Sequence, residues 1–151
     1  MNRREMLRLA AAAAAACGLP GRQAQALEGP ELRLLSRRRA VEAARRLCAD
    51  GWRMRDGIWT GTLGASRHAI PVHLMAGNTY LFVLAIRPIN SQHVFSLLDS
   101  FGKLVAEKSV VSDAGLAAVL CEAPASGRHH LFADAPSGSA SSEVAAVYLY
   151  R

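Results

Sequence analysis

The sequence has no apolar run of membrane-spanning length, few cysteines, few aromatic residues and none of the short motifs that carry chemistry. Its longest apolar stretch, the alanine-rich run from Leu9 to Leu19, is about half of the ~20 residues a helical span requires. Alanine is also weakly hydrophobic, so no transmembrane span is expected. Aromatic residues make up only 6% of the chain, and the arginine-rich segment lacks the interleaved aromatics that stack on bases, so no nucleic-acid partner is expected. There is no G-x-S-x-G elbow, no paired-carboxylate segment and no phosphate-cradling glycine loop. No catalytic residue and no cofactor is assigned. Five histidines, His68, His73, His93, His129 and His130, invite a metal reading, but His129 and His130 are strand neighbours that point to opposite faces, as do His68 and His73. No metal site follows, although a site assembled from separate strands stays open. With 51% hydrophobic and 20% charged residues, no repeat and no low-complexity tract, the chain is not a disordered one.

What is present begins with delivery. Asn2-Arg3-Arg4-Glu5-Met6-Leu7-Arg8 places two arginines ahead of the alanine-rich run, and Ala24-Gln25-Ala26 has the small residues of a cleavage site. This pattern reads as a twin-arginine export signal over residues 1–26. Arg22, just before the cleavage motif, disfavours the general secretory route. An ordinary secretory signal is the blander reading, and Cys17 after three alanines is a third, since it loosely resembles a lipobox without its leucine. All three lead to the export machinery as partner and to a periplasmic or secreted location. Removal of the signal takes the formal charge from +6 to +3 and leaves 125 residues, which suits one domain.

From Pro30 to Asp50 the pattern is helical, with Pro30 and Glu31 suited to a first turn and Gly51 to the position past the end. At 100° per residue Leu34, Ala40, Val41, Ala44, Leu47 and Cys48 share an arc interrupted by Arg33 and Arg37, while Arg38, Arg39, Arg45 and Arg46 lie outside it. Segment 27–55 therefore reads as a basic amphipathic helix and its connection, holding eight arginines against four acids. The arginine face is either a solvated surface or a binding surface for an anionic lipid or an acidic partner. Trp52 and Trp59, either side of the Arg55-Asp56-Gly57 turn, either cap the body of the protein against the helix or offer a stacking surface for a polysaccharide.

Residues 56–151 read as strands. The run from Thr79 to Ile86 is apolar on both parities, which predicts a strand covered on both faces. Gly77-Asn78 opens it with a turn. Asp99-Ser100-Phe101-Gly102 fits a four-residue turn within a hairpin, and Pro124 to Gly127 breaks a second hairpin. The Asp99 turn could lend a calcium ligand, but it lacks the alternating acids of a strong site. In the segment Arg67 to Leu74, Pro71 is tolerated only at a sheet edge or a bulge. Strand centres at Trp59, Val72, Val83, Leu97, Val105, Val119, Leu131 and Val147 give about eight strands. The expected fold is mainly β: an antiparallel, jelly-roll-like β-sandwich with one N-terminal amphipathic helix packed on it. With Cys17 leaving in the signal, Cys48 and Cys121 are expected to point into the same helix-to-sandwich seam, where they could form a disulfide or remain two buried thiols.

Three phrases resemble the bacterial pre-peptidase C-terminal type of domain, a secreted jelly-roll-like sandwich. Gly77, Tyr80 and Phe82 match its G-x-x-Y-x-F opening; Asp99, Gly102, Lys103, Leu104 and Val105 match D-x-x-G-K-L-V; Ala123, Pro124 and Gly127 match A-P-x-x-G, with His129 where the family has tyrosine. The resemblance covers roughly residues 67–150 and implies an accessory module without catalytic residues. An exported non-catalytic module that binds a polymer, an envelope component or a partner protein is thus the leading expectation. A small secreted enzyme or enzyme inhibitor, with its site assembled across strands, is the alternative.

Overall fold

Thr79–Arg87 forms a strand whose two sets of side chains are both buried. Tyr80, Phe82, Leu84 and Ile86 point into the space between two sheets, whereas Leu81, Val83 and Ala85 point the other way, under a helix. A strand with one wet face would expose alternate side chains; one that is apolar throughout needs cover on both sides, and this need sets a three-layer architecture. The computed structural model describes residues 29–64, 68–88, 93–107, 115–134 and 141–151. The expected export signal, with Arg3, Arg4, Cys17, Ala24 and Ala26, lies outside the described residues.

The elements in chain order are α1 (Gly29–Cys48), β1 (Arg53–Met54), β2 (Trp59–Leu63), β3 (His68–Leu74), β4 (Thr79–Arg87), β5 (Val94–Leu98), β6 (Leu104–Glu107), β7 (Leu116–Glu122), β8 (Gly127–Asp134) and β9 (Ser142–Tyr150). One sheet runs β1-β9-β4-β7, with β2 beside β1 on the same edge of β9; the other runs β3-β8-β5-β6. All neighbours are antiparallel. The pairs nest: β5 with β6, β4 with β7, β3 with β8 and β2 with β9, alternating between the sheets. That is one long hairpin rolled up on itself, the winding of a jelly roll. Each of the eight expected strand centres falls within one of β2 to β9, but the second hairpin expected at Pro124 to Gly127 does not form: the turn carries the chain across to the other sheet, so β7 pairs with β4 and β8 with β3 and β5. The edge expected from Pro71 is met, since β3 is the outermost strand of its sheet. The Asp99 turn is held by its own residues: Asp99 Oδ1 accepts from the Phe101 and Lys103 amides at 2.9 Å each, and Gly102 takes φ 80°.

α1 lies on the outer face of the first sheet, where Ala40, Ala43, Ala44 and Leu47 meet Leu81, Val83, Ala145, Val147 and Leu149. Small alanines let the helix approach closely. The docked arc differs from the expected one, because Leu34 is 66% exposed while Ser36 is fully buried. The reason is polar. Glu143, near the start of β9, faces the helix, and Arg33 Nε donates to its Oε2 at 2.8 Å, forming an ion pair. Arg33 Nη2 also donates to Thr62 Oγ1 at 3.1 Å, the Thr62 hydroxyl donates to Glu143 Oε1 at 2.6 Å, and the Ser36 hydroxyl donates to the Glu143 carbonyl at 3.1 Å. Apolar periodicity alone put Leu34 on the docking face; this four-residue clamp turns the helix so that Arg33 and Ser36 dock instead.

The cysteine expectation is corrected by the same geometry. Cys121 packs in the core between the sheets, with Ala117 and Val119 as its parity required, whereas Cys48 packs at the margin of the helix seam. The first sheet stands between them, and both thiols are free. Parity was read correctly but the face was not, because β7 could turn either parity inward. Burial pushes the Cys121 thiol up to about 12, which suits an inert apolar filler.

Candidate functional site

The structure separates the two tryptophans. Trp52 is buried beneath α1, with the Arg151 guanidinium 4.5 Å from its ring centroid. Trp59 begins β2 and packs against the core on the opposite side of the first sheet. They form no common stacking platform; Trp52 caps the helix seam, and Trp59 belongs to a different surface.

That surface is a cleft of about 310 Å³ at the open edge of the sandwich, between β2 of one sheet and β3 of the other. Ile70, Pro71 and Val72 form one wall; Trp59, Ala146, Val147 and Tyr148 form the other; Phe82 and Leu131 also line it. Asp56, Gly57 and Ile58, the turn leading into β2, complete the lining. The Phe82 and Tyr148 rings stack with centroids 5.5 Å apart, and such pairs add about 0.5–1.5 kcal/mol beyond their area burial. Gly61 shapes the tryptophan side. A Cβ at Gly61 would lie 2.6 Å from Trp59 Cη2 and 2.7 Å from Cζ2, so the indole rests in the space that the missing side chain leaves. Trp59 could be picked out from the sequence, but its dependence on Gly61 two residues on could have been suspected only from strand parity. The contributions of Tyr148 and Asp56 had no sequence signal.

The arginine face is oriented outward. Arg38, Arg45 and Arg46 are exposed and Arg39 is half-buried, and among the described residues none of the four has an ion-pair partner. Changing all four to glutamine is expected to cost under about 0.5 kcal/mol per site, checked by thermal unfolding. A larger loss would show that the face is structural.

The histidines are dispersed. His93 and His129 are buried, His68 and His130 half-buried, and His73 exposed. His129 Nδ1 lies 3.1 Å from the Gly127 carbonyl oxygen, the geometry of an N–H donated to it, while His130 faces outward beside Phe132. Burial pushes the His93 imidazole below its ordinary pKa, an effect the Asp134 backbone only partly offsets. Among the described residues no group of three or more His, Cys, Asp or Glu is placed to hold a metal ion. No helix among them is long and apolar enough to cross a membrane.

No family model matches the chain, and no curated protein matches it.

Proposed function

We propose that this chain is an exported, non-catalytic β-sandwich module that binds a polymer, an envelope component or a partner protein through the edge cleft. The observation that carries the reading is the cleft itself: an apolar, three-ring site at a sheet edge whose tryptophan depends on the absence of a side chain at Gly61. Pockets that are mostly apolar with few polar groups are the usual form of a ligand site. Export is supported by the Arg3-Arg4 pair, the alanine-rich run and Ala24-Gln25-Ala26. The resemblance to the pre-peptidase C-terminal type of domain supports an accessory role in the same compartment.

Retention of the protein on isolated cell-envelope and polysaccharide fractions tests the reading. Wild type is expected to be retained, and Trp59→Ala is expected to weaken retention by up to about tenfold, the upper end of the ~0.5–1.5 kcal/mol of one lost aromatic contact. Gly61→Val should act in the same direction by displacing the indole while keeping it in the chain. Equal retention of all three proteins, each shown folded by circular dichroism, would remove the cleft from the binding surface.

A further inference from the structure

The cleft also carries a ligand class, an inference that rests on its being the binding site. We infer that it takes a compact organic ammonium ion: a positively charged nitrogen bearing alkyl groups. Three features of the wall converge on this chemistry. First, its body is hydrocarbon, so a ligand rich in hydroxyl or amide groups would give up water without recovering hydrogen bonds. Second, the faces of indole and phenol rings attract cations through their quadrupoles, and alkylated ammonium groups are the ligands for which that attraction is most used; Trp59 and Tyr148 supply such rings on one wall. Third, among the described residues Asp56 is the only carboxylate on the lining, and none of those lining it is Lys, Arg or His. Among the described residues it has no ion-pair partner. Its neighbour Arg55 is not part of the lining, and the Arg55 backbone N–H donates to the Tyr148 carbonyl at 3.1 Å. An anionic ligand would therefore meet a like charge at the turn and hydrocarbon beyond it, whereas a cation meets an opposite charge and the aromatic side chains of Trp59 and Tyr148. A volume of about 310 Å³ stands at the lower end of the ~300–1,000 Å³ of small-molecule sites, which suits a compact ammonium group carried by an envelope component and not the face of a folded partner.

The test is a calorimetric titration of the full chain with choline and, separately, with 3,3-dimethylbutan-1-ol, which has the same shape with carbon in place of the charged nitrogen. Choline is expected to bind about tenfold more tightly than its neutral isostere. Asp56→Asn should erase most of that preference, and Trp59→Ala should weaken both ligands. Equal binding of the isostere, or an undiminished preference in Asp56→Asn, overturns the cation assignment while leaving the cleft a binding site. Failure of both ligands to bind also overturns it, and the envelope-retention result with Trp59→Ala then decides whether the cleft reading falls with it.

Discussion

Leu84→Ala is expected to lower the unfolding free energy by about 2–5 kcal/mol, a large share of the ~5–15 kcal/mol typical of a domain. Leu84 has no exposed surface, sits mid-strand in β4 and points into the space between the sheets. Its lateral neighbours in register are Ala117 on β7 and Ala146 on β9. Alanines cannot reach into the space that the lost isobutyl group vacates, so collapse around the cavity is limited and the cost should lie in the upper part of the range. Leu81→Ala, on the other face of the same strand, removes a buried contact with the helix layer and is expected to cost a similar amount. Urea unfolding followed by both tryptophan emission and far-ultraviolet circular dichroism checks this. Coincident single transitions in both variants would show the three layers to be one cooperative unit. A second, earlier transition confined to Leu81→Ala would show the helix leaving first, and a loss below about 1 kcal/mol at Leu84 would contradict the packing described.

Glu143→Gln is expected to flatten the acid side of the stability profile. Burial alone would raise the Glu143 carboxyl, but the hydrogen bonds from Arg33 and Thr62, with the Arg33 charge, outweigh it and hold the carboxyl below the usual range. A carboxyl depressed in the folded state binds its proton more readily when unfolded. The stability it contributes is therefore present above the ordinary glutamate value of ~4.3 and is lost as pH falls through the lower folded value. At neutral pH the substitution should cost about 1.5 kcal/mol, the low end for hydrogen bonds to charged groups, because the Arg33 side chain is 49% exposed and its charge is screened by solvent. Thermal midpoints of wild type and variant, measured from about pH 7 down to about pH 3, should converge on acidification. Parallel curves would remove Glu143 from the acid response.

The strands were legible because their constraints are local. Double-sided apolarity in β4, the proline that confines β3 to an edge and the Asp99 turn each follow from residues within one segment, and together they fix a layered sandwich. Three features were not legible. The two-residue β1 has no pattern of its own and exists because Arg53 and Met54 come alongside Tyr150 and Leu149. The rotation of α1 depends on Glu143, 110 positions from Arg33, and no helical periodicity contains that term. The cleft joins β2, β3, β4, β8 and β9, so its composition was scattered along the sequence until the nesting of the strands brought it together. Cys48 and Cys121 failed as a pair for a related reason: parity says which residues share a face but not which face is inside.

The nested winding also bears on how the chain is made. Thr62 and Glu143 are paired neighbours 81 positions apart, and β9 separates β2 from β4 in the first sheet. While a ribosome is still extending the chain, β5, β6 and β8 can find one another, but β4 has β7 alone at its side and lacks the strand that completes its sheet. Its open edge stays available to other chains until β9 emerges, since non-local pairing must wait for loop closure. Arrival of β9 is thus the step that closes the first sheet, and a product cut short before Ser142 would leave exposed the apolar edge of β4 that β9 covers.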